Sequence, residues 1–293
     1  MSNEHTASIR APSSDDVEVV VYDFGGTGRP LVLSHATGFH GHCYLPIAQA
    51  LGGRFHSWAL DYRGHGLTSR PDDWQVVWER YGDDAVAAAR AVLARTSDNH
   101  DRDNGLIGFG HSMGGAGLLM AAHAQPDLFD LIIAFEPIVF PPPAPGIDQL
   151  DSPLVAGARR RRAVFASFDE AYDNYAAKPP MMGFDPVALR NYVDHGFVAT
   201  DEGVRLRCDP EHEARTFETG GVHRTWDLLP EITTPVVIVA GAPSEMSPAA
   251  IARPISELLP SARFIELDHL DHFGPMTHPA EMASLITSLV DEL

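Results

Sequence analysis

Three observations predict an α/β fold built on a mostly parallel sheet. Short apolar runs alternate with longer helical patterns through most of the 293 residues, the rhythm of strand–helix–strand units. Runs such as Leu31-Val32-Leu33 and Leu131-Ile132-Ile133-Ala134-Phe135 are apolar at successive positions, which suits strands covered on both faces. One run, Leu106-Ile107-Gly108-Phe109, passes through Gly110-His111-Ser112-Met113-Gly114 straight into a helical stretch.

Taken in order, residues 17–22 read as the first strand and the glycine-rich 25–30 as a turn. Strands follow at 31–34 and 55–60. Residues 83–95 read as an Ala-rich helix with Asp83 and Asp84 in its first turn and Arg95 in its last, charges that suit the helix dipole. Next come a strand at 106–109, a helix at 113–124 ending before Pro126, and a strand at 131–135 closing at Glu136-Pro137. The rhythm breaks at Pro141. Residues 141–146 hold four prolines, no strand pattern is evident before Thr234, and 163–177 and 186–198 have a helical texture. A bare loop of that length is improbable in a compact domain. The expectation is a core of residues 1–140 and 231–293 with a helical lid inserted at 141–230. After it come a strand at 236–240, a helix at 248–259 and a strand at 263–267. The last helix sets Met282, Leu285, Ile286, Leu289 and Val290 on one apolar face.

Asp and Glu total 40 against 21 Lys and Arg, a net charge of −19. Such a surface repels phosphate backbones and anionic lipid, so neither nucleic acid nor a membrane is an expected partner. No stretch reaches the roughly 18 apolar residues of a membrane span. The polar N-terminus lacks the apolar run of a signal peptide, and a cytoplasmic location is expected. Cys43 and Cys208 are too few for a disulfide framework and read as free thiols.

Gly110-x-Ser112-x-Gly114 has the pattern and the strand–helix context of a nucleophile elbow. The glycines allow a sharp turn and close approach of strand and helix. Ser112 then projects its hydroxyl, and the Met113 N–H at the helix start can stabilise an oxyanion. On these residues the chain resembles the α/β-hydrolase fold family, from about Val17 to Leu293 outside the lid. Three further stretches support the resemblance. His35-Ala36-Thr37-Gly38-Phe39 is similar to the family's oxyanion loop, with Ala36 where a Gly is usual, and implies a second oxyanion N–H from Thr37. Asp61-Tyr62-Arg63-Gly64-His65-Gly66 is similar to a structural turn of the family, which makes Arg63 and His65 scaffold. His269-Leu270-Asp271-His272-Phe273 resembles the loop carrying the catalytic base, which implies His272 for that role, although His269 and Asp271 replace glycines.

The resemblance also implies an Asp after the strand at 236, but Ser244 stands in that position. Two carboxylates remain. Glu136 ends the strand at 131–135, 24 residues after Ser112, and is the first choice, because active groups gather at the carboxyl ends of parallel strands. Glu245 is the alternate, with Asp268 and Asp271 behind it. Phe39, His111, Met181 and Phe184 are candidate substrate contacts, and the lid's other aromatics pack it down or line an apolar pocket. His40-x-His42 and His269-x-x-His272 match no metal motif, so neither metal nor cofactor is expected. Arg159-Arg160-Arg161-Arg162 has the charge of an anion site, but a solvated face of a lid helix, or neutralisation of nearby carboxylates, is the preferred reading.

The expected activity is hydrolysis of a small apolar carboxylic ester through a Ser112 acyl-enzyme. Dehalogenase and epoxide hydrolase readings need an Asp at the elbow. A lactone or carbon–carbon bond hydrolase would use the same residues. A non-catalytic ligand receptor on this fold usually lacks the Ser or the His.

Overall fold

Residues 6–96, 105–142, 152–243 and 247–293 are described by the computed structural model. The first part of the chain forms β1 (Ser8–Pro12), β2 (Glu18–Asp23), β3 (Arg29–Ser34), α1 (Leu45–Leu51), β4 (Phe55–Asp61), α2 (Glu79–Thr96), β5 (Ile107–His111), α3 (Met113–Ala124) and β6 (Leu131–Phe135). A second group follows: α4 (Pro153–Arg159), β7 (Val164–Phe165), α5 (Phe168–Ala176), α6 (Pro186–Gly196), β8 (Phe197–Thr200), β9 (Gly203–Leu206), α7 (Pro210–Thr219) and α8 (Thr225–Leu228). The chain then completes the sheet with β10 (Val236–Gly241), α9 (Ala249–Leu258), β11 (Ala262–Leu267), α10 (Gly274–Thr277) and α11 (Pro279–Asp291).

The main sheet has eight strands in the order β1-β2-β4-β3-β5-β6-β10-β11. β1 and β2 pair antiparallel, as do β2 and β4, and every pairing from β4 through β11 is parallel. The apolar runs fill both faces by simple alternation. Val32, Ile132 and Ile238 face the layer of α2, α3 and α9, while Leu31, Leu33, Phe109, Ile133 and Val237 face the layer of α1 and α11. This two-sided burial is why the runs lack polar alternation.

The structure corrects the sequence reading in three places. β1 lies in the N-terminal stretch read as polar, where no strand was expected. It is an edge strand, and only Ala11 is buried, so the hydrophobic signal is absent. α2 starts at Glu79, a turn before the expected 83. Asp84 is not a solvated first-turn residue but lies buried against the buried Arg63, 2.7 Å from its Nη2. The segment between β6 and β10 is not purely helical. It contains a separate three-stranded antiparallel sheet, β7-β9-β8. The expected helix at 163–177 is β7 followed by α5, and the one at 186–198 is α6 running into β8. β8 and β9 form a hairpin closed by Asp201 and Glu202, with Thr200 opposite Gly203. Gly203 takes φ 125° and passes so close to β7 that a Cβ would sit 2.2 Å from Phe165 O, so only glycine fits.

Candidate active site

Ser112 alone links β5 to α3, at φ 58° and ψ −118°. That conformation is unfavourable for a residue with a side chain and points to a functional constraint. The glycines around it explain how it is imposed. A Cβ on Gly114 would lie 2.3 Å from Ser34 O, and one on Gly110 would lie 2.7 Å from the Gly115 backbone. α3 therefore packs against β3 and β5 at a distance that excludes any side chain. Ser112 N–H donates to Phe135 O at 2.9 Å, and Ser112 O accepts from Ala116 and Ile138 N–H, each at 3.2 Å.

Strand register brings the carboxylate to the serine. His111 lies opposite Phe135, which lies opposite Val239, so the residue after Phe135 emerges between the ends of β5 and β10. That residue is Glu136, with φ 44° and its N–H donating to Val239 O at 2.8 Å. Its side chain is fully buried. Three donors converge on it: His272 Nδ1–H at 2.7 Å and Ser247 Oγ–H at 2.8 Å reach Oε2, and Gly241 N–H reaches Oε1 at 2.9 Å. This is the pattern a carboxylate requires, since it only accepts, and a buried charge needs such partners. The loop after β10, where the family resemblance implied an aspartate, thus donates to an acid supplied by β6.

His272 Nδ1 faces Glu136, which leaves Nε2 as the ring nitrogen for the serine proton. Asp271 and Asp268 do not meet His272 Nδ1. Asp271 accepts from Phe273 N–H at 2.8 Å, and Asp268 is almost fully exposed. Ser244 and Glu245 lie outside the described residues. His269, three positions before His272, pairs with Glu281 at 2.9 Å.

The expected oxyanion donors sit in the turn after β3 and at the start of α3. Phe39 N–H donates to Ala36 O at 3.1 Å, closing a tight turn with Gly38 at φ 79° and leaving the amide of Thr37 unused by it. Met113 N–H is at the first position of α3, where a helix leaves its amides without internal partners. Phe39 stacks on Phe184 at 6.0 Å between ring centroids and lies edge-on to Tyr192 at 5.5 Å. Phe273, next to His272, lies 5.6 Å from the Phe184 ring. Met181 is half-buried in the same apolar cluster.

His111 was expected to contact substrate, and its position differs. It is fully buried, with both ring nitrogens engaged. Nε2–H donates to His272 O at 2.8 Å, and Nδ1 accepts from Tyr44 O–H at 2.8 Å. Tyr44 Oη in turn accepts from Ala36 N–H at 3.1 Å. Burial, then the neighbouring His272, hold the imidazole of His111 well below its usual value and therefore neutral, as this tautomer requires. One bonded chain joins the turn bearing Thr37 to the backbone of His272.

Arg63 and His65 are buried scaffold. Arg63 pairs with Asp84 and Asp15, and His65 Nδ1–H donates to Arg63 O at 3.2 Å. His42 stacks on His195 at 3.6 Å. Among the described residues no group of three or more His, Cys, Asp and Glu side chains could hold a metal. Cys43 and Cys208 are free and buried. No described helix is long and apolar enough to cross a membrane.

The sequence profile of the α/β-hydrolase family matches residues 31–285. The chain belongs to the α/β-hydrolase family. Among this family's characterised members, it is similar to 2-(acetamidomethylene)succinate hydrolase of Mesorhizobium japonicum. The two are 28% identical over 271 residues, covering 91% of this chain and 89% of the relative. The crystal structure of E-2-(acetamidomethylene)succinate hydrolase superposes with a TM-score of 0.77 at 25% identity, covering 98% of this chain and all of that one. The peroxisomal α/β-hydrolase Lpx1 of Saccharomyces cerevisiae shares the fold, with a TM-score of 0.78 at 19% identity over 98% of this chain and 87% of its own. An α/β-hydrolase framework therefore carries the site, and the chain is a hydrolase.

Two side chains at the site carry no reading in the sequence: Ser247 and Tyr44. Ser247 follows Glu245 closely and could have been found as a polar residue in the loop facing β6. Tyr44 carries no local signal.

Proposed function

We propose that this hydrolase cleaves a carboxylic ester through an acyl-enzyme on Ser112. His272 Nε2 takes the serine proton as the hydroxyl attacks, then returns it to the leaving alcohol. Glu136 fixes the tautomer of His272 and offsets the charge of its imidazolium. The amides of Met113 and Thr37 stabilise the oxyanion. Water, activated by the same imidazole, releases the acid. The observation that carries this reading is the His272–Glu136 hydrogen bond of 2.7 Å behind a serine held at a left-handed elbow. The segment of residues 152–230 acts in this reading as a lid, since its Phe184 and Tyr192 meet Phe39 of the core.

A second reading has one specific support. The Mesorhizobium relative is named for an acetamido compound, so the scissile bond here can be an acyl C–N bond opened by the same serine chemistry. Lactone or carbon–carbon bond cleavage would use these residues too, and turnover of lactones in place of open esters is the result that favours it. The test is labelling with a fluorophosphonate, followed by p-nitrophenyl esters, their anilide counterparts and lactones. The expected adduct is on Ser112. Ser112→Ala should abolish labelling and lower kcat by on the order of 10⁶, as in a serine protease. A folded Ser112→Ala protein with more than a few per cent of wild-type turnover overturns the assignment. Absence of labelling and of turnover favours a receptor.

A further inference from the structure

Of the four consecutive arginines, three reach carboxylates, and they do so in different surroundings. Arg159 meets Glu211 and Glu218, and Arg162 meets Glu170, at the surface. Arg161 is largely buried. Its Nη1 bonds Glu213, and its Nη2 donates to Tyr192 and, at 3.2 Å, to Tyr175. This group touches the oxyanion turn. A Cβ on Gly38 would lie 2.5 Å from Glu213 Oε1 and 3.3 Å from Arg161 Nη1. Gly38 directly follows Thr37, and Tyr192 also packs on Phe39.

Two phenol O–H donors are left over here. A guanidinium carries five N–H groups, and each phenol adds an O–H once its oxygen is accepting. Among the described residues, the acceptors that meet Arg161 are Glu213 Oε2 and the two phenol oxygens. The phenol protons of Tyr175 and Tyr192 meet no acceptor there. These spare donors suit a ligand that brings oxygens and no protons. A carboxylate is such a ligand, accepting from the phenol O–H groups beside the guanidinium charge. Glu213 pairs with Nη1 and holds the guanidinium in place.

We infer that Arg161, Tyr175 and Tyr192 form a receptor for a carboxylate carried by the substrate, so that the enzyme acts on short acyl compounds with a free acid group. The inference rests on the Ser112 reading for its chemistry but not for its binding step. The apolar ring wall takes the hydrocarbon part, and the receptor beside the oxyanion turn orients the acid end.

The test compares p-nitrophenyl hemisuccinate with its methyl-capped diester. The wild type should show a higher kcat/KM for the free acid. Replacing Arg161 should lower that preference by on the order of 10- to 100-fold, the worth of a charge-assisted hydrogen bond. Because Arg161→Met alone strands Glu213, the variant is Arg161→Met with Glu213→Gln. Tyr175→Phe removes one hydroxyl and should lower the preference several-fold without disturbing the ion pair. Calorimetry with succinate on Ser112→Ala tests the receptor apart from catalysis, with saturable binding expected there and lost in the Arg161 variant. Equal turnover of acid and diester by a wild type whose Ser112 a separate fluorophosphonate reaction labels overturns the inference and leaves the hydrolase reading standing. Succinate binding without labelling does the reverse. A preference unchanged by both variants makes Arg161 a fastener between α7 and the chain before β7, and overturns the inference.

Discussion

At Glu136, donors from three directions meet two oxygens, and an amide cannot satisfy all of them. In Glu136→Gln the side-chain NH2 must face either Gly241 N–H or the His272 and Ser247 donors. The variant should fold and lose about 10⁴ in kcat, the size of the corresponding change in the serine-protease template. Ser247→Ala, which removes one of the three donors, should cost far less. Steady-state kinetics on both variants checks the ranking, and equal small losses would remove Glu136 from the mechanism. His111 is the second position where geometry constrains chemistry. It touches no reacting atom but holds the backbone of His272 and, through Tyr44, that of Ala36. His111→Phe keeps the ring volume and breaks both bonds, leaving Tyr44 O–H without its acceptor. We expect about 2 kcal/mol less stability and a fall in kcat with KM little changed. Loss in KM alone would mean that the ring contacts substrate.

At the scale of elements, the elbow depends on close packing between α3 and β3. Gly114→Ala would push a Cβ to 2.3 Å from Ser34 O and 2.7 Å from His35 O. Backbone atoms cannot swing away as a side chain can, so the helix must move, at a cost of about 3 kcal/mol. Gly157 is the control. It lies within α4, and a Cβ there meets nothing within 4 Å. Gly157→Ala should therefore stabilise the protein by about 0.4–1 kcal/mol through chain entropy and helix propensity. Thermal melts of the pair should move in opposite directions. The same scale shows what the sequence could have revealed about the insertion. Ser167 accepts from Glu170 N–H at 3.1 Å, a Ser-x-x-Glu start that places α5 after β7. Asp185-Pro186 and Asp209-Pro210 cap α6 and α7 in the same legible way. β7 is only two residues long and has no periodicity to read.

Across the whole molecule, buried histidines set an acid limit. Burial lowers His35 to about 3 and His42 to about 2, and His40, His195 and His212 to about 4. His65, His111 and His223 are lowered as well, again chiefly by burial. In the folded chain they stay neutral, whereas unfolded they bind a proton below about pH 6.5. Acid therefore favours the unfolded chain. This stability is fully present above about pH 6.5 and is lost as pH falls towards the folded values. A single histidine held near 4 costs about 2 kcal/mol at pH 5, and a typical domain has only about 5–15 kcal/mol in all. Relief of repulsion within a surface of net charge −19 acts the other way, but exposed charges are individually worth about 1 kcal/mol or less. The melting temperature should fall by on the order of 15 °C between pH 7.5 and pH 5. A flat profile in moderate salt would show that these rings are hydrated.

The sequence by itself determined the parts whose cause is local. Apolar runs bounded by turns marked the strands from β2 to β6 and again β10 and β11, and the glycines at 110 and 114 marked the elbow, because backbone preference and periodicity act over a few residues. Tertiary structure decided everything that depends on what crosses the chain. The meeting of Glu136 with His272 follows from the register of β5, β6 and β10, which no spacing between positions 136 and 272 encodes. Four adjacent arginines look alike in sequence, and only packing buries Arg161 while Arg159 and Arg162 stay in water. His111 reads as a polar residue in an open turn until the fold closes Tyr44 and His272 around it. Each of these outcomes rests on which distant groups share a small desolvated space, and there a hydrogen-bond partner is worth far more than in solvent.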